Sequence, residues 1–288
     1  MRLTGTGIWS GELRYGDAGR AADAAAELDT LGYDAIWIPD VGGDVFGAAE
    51  NLLRATAKTT IATGILNIWM HDPADVAARR AAWDEIWQRR FLLGLGVSHQ
   101  PLIDHNAPGR YVKPYSKMVA YLDELDRAPV PYAADARVLA ALRPRMLELA
   151  RDRAAGIHPY FVPSEHVASA REIIGPNRTI AVELAVVLDT DPTSARATAR
   201  RHTAIYVGLP NYTNNLRRFG FGDDDFTDQG SDRLVDAIVA WGDVETVAGR
   251  VAALRDAGAD HVCVQVIRPD GELPLADWRE LAPALCAP

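Results

Sequence analysis

The sequence predicts an α/β protein built as a single (β/α)8 barrel over residues 1–288, and three observations point there. The apolar runs Ile61–Leu66, Phe91–Val97 and Gly156–Val162 are each interrupted or bounded by glycine, as strands ending at a rim would be. Alanine-rich amphipathic stretches of a dozen or more residues alternate with such runs, the pattern of buried parallel strands joined by helices. A chain of 288 residues with 48% hydrophobic composition has the size of one such barrel.

Taken in order, strands are predicted at 3–9, 34–39, 59–66, 91–97, 137–142, 156–162, 179–188 and 261–267. Each is rich in aliphatic and aromatic residues. Helices are predicted at 18–31, 74–87, 115–126, 145–155, 164–174, 192–207 and 244–257 from their apolar spacing. Asp72 before Pro73, Ser164 before Glu165 and Asp191 before Pro192 are helix-start signals, and Gly32 and Gly258 are stops. Residues 211–241 exceed a simple connection and read as extra helices and a loop over the barrel mouth, before the last strand.

Thirty Lys and Arg against 39 Asp and Glu give a formal charge of -9, which argues against nucleic acid or an anionic membrane surface as partner. Cys263 and Cys286 are the only cysteines, an economy that suits a reduced, cytoplasmic protein. No secretory leader and no membrane span are expected.

Function in such a barrel belongs at the carboxyl ends of the strands. Gly94 and Gly96 form a G-x-G without the third glycine of a dinucleotide fingerprint, and suit instead a strand that a flat ligand approaches. Gly64 ends the third strand either as a simple bulge or as backbone pressed against a planar ring. At Leu142-Arg143-Pro144-Arg145 a helix start converges with two arginines, the best phosphate site in an acidic chain. His99 follows the fourth strand and is the candidate acid-base residue, since imidazole titrates near neutrality. The histidines form no H-x-H or H-E-x-x-H pair, and no G-x-S-x-G elbow is present, so metal-dependent and serine hydrolases gain no support. Trp9, Trp37 and Trp69 recur at the ends of the first three strands, where they either wall an apolar pocket or fill core.

The segments Ile61-Ala-Thr-Gly-Ile65, His71-Asp-Pro-Ala-Asp-Val-Ala77, Arg90-Phe-Leu-Leu-Gly-Leu-Gly96, Pro144-Arg-Met-Leu-Glu-Leu-Ala150, Gly156-Ile-His-Pro-Tyr160 and Gly242-Asp-Val-Glu-Thr246 lie in this order along the chain. In that order and spacing they resemble the bacterial luciferase-like superfamily, and within it the short enzymes that use coenzyme F420 instead of FMN. The resemblance implies a deazaflavin lying across the strand ends, with Gly64-Ile65 as a non-prolyl cis peptide beneath it. It implies that Asp40 and Asn67 border the ring, that Val97 and Ser98 line it, that Ala140, Ala141, Leu142 and Arg143 hold the phosphate, and that Gly156 joins the cofactor site. Trp9, Val41, Trp69, His158 and Tyr160 are expected around the substrate. Many relatives carry histidine directly after the aspartate that ends the second strand. Here that position is Val41, which leaves His99 or solvent to handle the proton.

The function so implied is an F420-dependent oxidoreductase, an enzyme moving hydride to or from a small, partly apolar organic molecule. An FMN-dependent monooxygenase and a non-catalytic flavin-binding barrel are the alternatives. A homodimer is expected from the same resemblance.

Overall fold

A computed structural model describes residues 3–286. Ten parallel strand segments, β1 (Gly5–Trp9), β2 (Ala35–Ile38), β3 (Thr60–Thr63), β4 (Leu66–Asn67), β5 (Phe91–Gly96), β6 (Arg137–Leu139), β7 (Gly156–Ile157), β8 (Thr179–Val187), β9 (Val239–Trp241) and β10 (His261–Val266), form one sheet. Its order runs β10-β1-β2-β3-β5-β6-β7-β8, and pairing of β10 with β8 closes the barrel. The predicted eight-stranded barrel is therefore the fold. Two segments go beyond the eight. β3 and β4 are halves of one strand, broken at a cis peptide between Gly64 and Ile65, and β9 pairs with the end of β8 at residues 185–187.

Thr63 bridges that break. Its hydroxyl donates to the Gly94 carbonyl (2.8 Å) and accepts from the Gly94 N–H (2.9 Å), doing the work of ladder bonds between β3 and β5. A Cβ on Gly94 would stand 2.0 Å from the Thr63 carbonyl oxygen, so this glycine answers to the neighbouring strand and not to a ligand.

Several elements differ from expectation. Residues 74–87 split into helices Pro73–Ala81 and Glu85–Arg90, because the Asp84 carboxylate accepts the Trp87 N–H and starts a second helix. The helix-start signals hold: Ser164 opens its helix in the first turn, and Asp72 and Asp191 cap theirs by side-chain hydrogen bonds. Gly32 and Gly258 end theirs in the left-handed region. Val239–Trp241, expected to continue a helix, is strand. The helices Val45–Ala55, Gln100–Asn106 and Leu275–Leu285 were not anticipated. Residues 156–162 hold only two strand residues, since Pro159 and the left-handed Phe161 (φ 56°) turn the chain away from the ladder.

The barrel interior is plugged below the rim. Trp37 stacks on His158, rings 4.2 Å apart and 9° from parallel, and donates its indole N–H to His261 Nε2 (3.2 Å). Ala35, Ala62, Leu92, Val138, Ala181 and Cys263 pack around them. Trp37 is thus core.

Burial drives the buried histidines His158, His166, His202 and His261 down to about 4, because a charged ring would lose its hydration. Unfolded, each binds a proton near pH 6.5 that the folded chain refuses until about pH 4. Their contribution to stability is therefore full above pH 6.5 and is lost as pH falls toward 4, about 2 kcal/mol each at pH 5. Glu183, inside the barrel, is pushed the other way by burial, to about 8, and so gains as pH falls. Four groups outweigh one. Thermal melts from pH 7 to pH 5 should show a falling Tm, and an unchanged or rising Tm would contradict the neutral burial of these rings.

Among the described residues no helix is long and apolar enough to cross a membrane, and no cluster of His, Cys, Asp and Glu is arranged to hold a metal ion.

Candidate functional site

At the carboxyl ends of the strands lies a cavity of about 410 Å³. Gly64 and Ile65 line it together with the turn Ala140–Arg143, so the two features that the sequence set far apart share one chamber. Asp40, Asn67, Val97, Ser98, His99, Trp9, Val41, His158 and Tyr160 line it too. Two expected residues do not. Gly156 is buried in β7, where a Cβ would lie 1.9 Å from the Thr179 carbonyl oxygen; it is a packing glycine. Trp69 stands behind the wall, its indole N–H donated to the Val97 carbonyl (2.8 Å), its ring against Tyr111, and its carbonyl accepting from Arg110.

The floor explains its own glycines. Trp9 donates its indole N–H to the Gly64 carbonyl (3.0 Å), and a Cβ on Gly64 would sit 2.6 Å from that indole nitrogen and 3.0 Å from His158 Nε2. A Cβ on Gly96 would collide with the Ile65 side chain at 2.4 Å. Both glycines thereby leave room for the Ile65 and Trp9 side chains at the strand ends. His158 faces the Ala181 carbonyl through Nδ1 (2.8 Å), which places its hydrogen there and leaves Nε2, buried and unpartnered, as an acceptor at the floor.

One wall is braced through Asp40. Its Oδ2 accepts the Asn67 N–H (3.0 Å) and meets His71 Nε2 (2.8 Å), while Asn67 Oδ1 accepts the Trp69 N–H (3.1 Å). Val41 occupies the position where the resemblance expects histidine, and it is exposed. The structure nevertheless brings a histidine to that aspartate, from 31 residues further along. Asp40 Oδ1 is buried without a partner.

Opposite, Ser98 adopts a left-handed backbone (φ 55°), and its carbonyl accepts from the Tyr111 hydroxyl (3.3 Å) and Asn211 Nδ2 (3.2 Å). The kink sets the His99 ring against Tyr212, centroids 4.6 Å apart, with Nδ1 buried and unpartnered. Burial pushes His99 down to about 4, so near neutrality it is an uncharged ring.

The third side is the start of helix Pro144–Arg153. Arg143 occupies its N-cap position without a side-chain cap, and Pro144 is its first residue. The amides of Leu142, Arg143 and Arg145 make no hydrogen bond among the described residues. Exposed Arg143 and Arg145 flank them, Arg145 lying over the Tyr115 ring at 4.3 Å. Free amides, the positive helix end and two guanidinium groups together suit a phosphate.

Sequence reasoning missed Tyr206, Tyr212, Tyr111, Tyr115, Leu102 and Met146 among the lining residues. Tyr212 belongs to helix Pro210–Leu216, within the stretch expected to cover the mouth. Leu102, Tyr111 and Tyr206 fall in the segments 100–111 and 206–230 that the sequence places at the mouth, and nothing local marks Tyr115 and Met146.

A closed parallel barrel with a ligand-sized chamber at its strand ends, a phosphate-ready helix start and a glycine floor defines a class, the cofactor-binding α/β barrels. The sequence profile of the luciferase-like monooxygenases matches residues 3–261, and the chain belongs to that family of oxidoreductases. The fold is similar to that of a coenzyme F420-dependent tetrahydromethanopterin reductase from Methanopyrus kandleri (TM-score 0.77, 20% identity, 98% of each chain covered). It is also similar to an F420-dependent secondary alcohol dehydrogenase solved with an F420-acetone adduct (0.72, 16%, 99% of each chain). A third likeness is to the oxygenating constituent of 3,6-diketocamphane monooxygenase from the CAM plasmid of Pseudomonas putida, in complex with FMN (0.69, 15%, 99% of this chain and 100% of that one). No curated protein matches the sequence.

Proposed function

We propose that this chain is an F420-dependent oxidoreductase acting on a small, partly apolar organic molecule, with His99 as the residue that handles the proton. The observation that carries the reading is the single cavity shared by the Gly64-Ile65 floor, the Ala140–Arg143 turn and His99. When bound, the deazaflavin supplies a hydride donor or acceptor at its C5. The residues fit such a group: the floor of Ile65 and Trp9 at one place in the cavity, and unpaired amides with two arginines at the helix start at another. Asp40 is fixed in the wall by Asn67 and His71. His99, neutral and held against Tyr212, lines the chamber and would take a hydrogen from a substrate hydroxyl or supply one through its imidazole. The Ile65 and Trp9 surface covers the floor and keeps water from beneath the reacting atoms.

Equilibrium titration with F420 and with FMN tests the cofactor. F420 is expected to bind at least about tenfold tighter, a difference of about 1.4 kcal/mol. Tighter FMN binding would move the chain to the monooxygenase reading, and no binding of either would end both. Arg143→Ala should weaken the bound cofactor about tenfold, the value of one charge-assisted phosphate contact. Unchanged affinity would remove the phosphate from that turn. The reading includes a cytoplasmic homodimer, which light scattering on the purified protein tests.

A further inference from the structure

Above the floor, the side of the cavity next to His99 is built almost wholly of aromatic rings. Tyr160 lies 5.4 Å from Trp9 and 5.2 Å from Tyr206, and Tyr206 meets Tyr212 at 5.5 Å, nearly perpendicular (89°). Tyr212 closes the ring onto His99. These five side chains come from β1, the segment after β7, the two helices 192–206 and 210–216 and the segment after β5, so the fold converges on the cluster from all sides.

Two of its three hydroxyls are already committed, while the Tyr212 hydroxyl has no hydrogen-bond partner among the described residues. Gln265 Oε1 can only accept, so the Tyr160 hydroxyl donates to it (2.8 Å) and Tyr206 donates to Tyr160 (2.7 Å), which commits both hydrogens inside the protein. The cavity's three charged residues make none of the cluster's ring contacts: Asp40 is bonded to Asn67 and His71, and Arg143 and Arg145 stand at the helix start, Arg145 over Tyr115. Behind the tyrosines the titratable groups are His202 and Glu183. Burial keeps both uncharged near neutrality, His202 down to about 4 and Glu183 up to about 8. Within the ring cluster itself no charged group would repay the desolvation of a charged ligand. Three faces and edges of π-systems would instead pack against a flat ring, and the His99 imidazole, which lines the cavity, touches the cluster at Tyr212.

We infer that this chamber takes an uncharged aromatic substrate carrying one carbonyl or hydroxyl oxygen, the ring held among Tyr160, Tyr206 and Tyr212 and the oxygen at His99. The inference names the substrate class for the oxidoreductase reading and rests on it.

The test adds three probes to cofactor-saturated protein and follows binding by calorimetry: 2-acetylnaphthalene, 2-naphthoate with the same rings and a carboxylate, and cyclohexyl methyl ketone with the carbonyl but no π-system. The aryl ketone should bind at least about tenfold tighter than either of the others. In Tyr212→Leu, which keeps apolar bulk, the aryl ketone should lose about tenfold while the cyclohexyl ketone changes little. Equal or tighter binding of the naphthoate or of the cyclohexyl ketone overturns the inference, and so does full aryl affinity in the variant. Should Tyr212→Leu melt early, the three-probe comparison on the unaltered protein decides alone. Should neither cofactor bind, the oxidoreductase reading has failed separately, and the same probes on the free protein still judge the chamber.

Discussion

Replacing His99 by alanine should lower kcat by about a hundredfold or more while changing the affinity for the cofactor no more than about threefold. The separation follows from the geometry. The ring touches Tyr212 and lines the cavity, but it takes no part in the floor formed by Gly64, Ile65 and Trp9, nor in the turn at Arg143. Its neutral state near pH 7 makes a further demand. Because burial holds it near 4, the acid limb of kcat/KM should lie well below the ordinary histidine value of about 6.5. Transient and steady-state kinetics of His99→Ala against the unaltered enzyme read both effects. Equal losses in turnover and cofactor binding would make the residue part of the binding surface, and unimpaired turnover would hand the proton to solvent.

Gly156→Ala should destabilise the fold by about 3 kcal/mol or more, a Tm lower by roughly 6–12 °C. The added methyl would meet backbone of β8 and not a side chain that could swing aside: the Thr179 carbonyl oxygen at 1.9 Å, its carbon and its nitrogen at 2.7 Å each. Since β7 has only two residues and joins β6 to β8, relieving that clash means parting the sheet there. Differential scanning calorimetry gives the shift, and cofactor titration of the protein that remains folded at low temperature gives the control. A variant with unaltered Tm and weakened cofactor binding would return Gly156 to the ligand site from which its burial removes it.

The barrel was legible because parallel strands buried on both faces leave long apolar runs, as in the nine buried residues of β8. What escaped was short or masked by its context. β9 has three residues and directly follows helix Asp232–Ile238, so the apolar pattern ran on without a break. Helix Leu275–Leu285 contains Pro283, and helix Val45–Ala55 contains Gly47, each a residue that argues against a helix locally and is overridden by packing. At the site, residues tied to a strand end could be read from position: Asp40, Gly64, Asn67 and Ser98 all line the cavity. The tyrosine cluster could not, because Tyr160 and Tyr206 meet through tertiary contact across 46 residues. The Asp40–His71 contact is of the same kind. The motif holding His71 was visible, but its spatial neighbour was not. Gly156 and Trp69 failed in the opposite sense, sitting at strand ends yet facing the neighbouring strand and the back of the wall.

The stacked plug of Trp37, His158 and His261 has a consequence for traffic. With the barrel interior filled beneath the floor, a molecule that reaches the glycine floor has to come by way of the rim. Anything lying above that molecule would have to leave before it could.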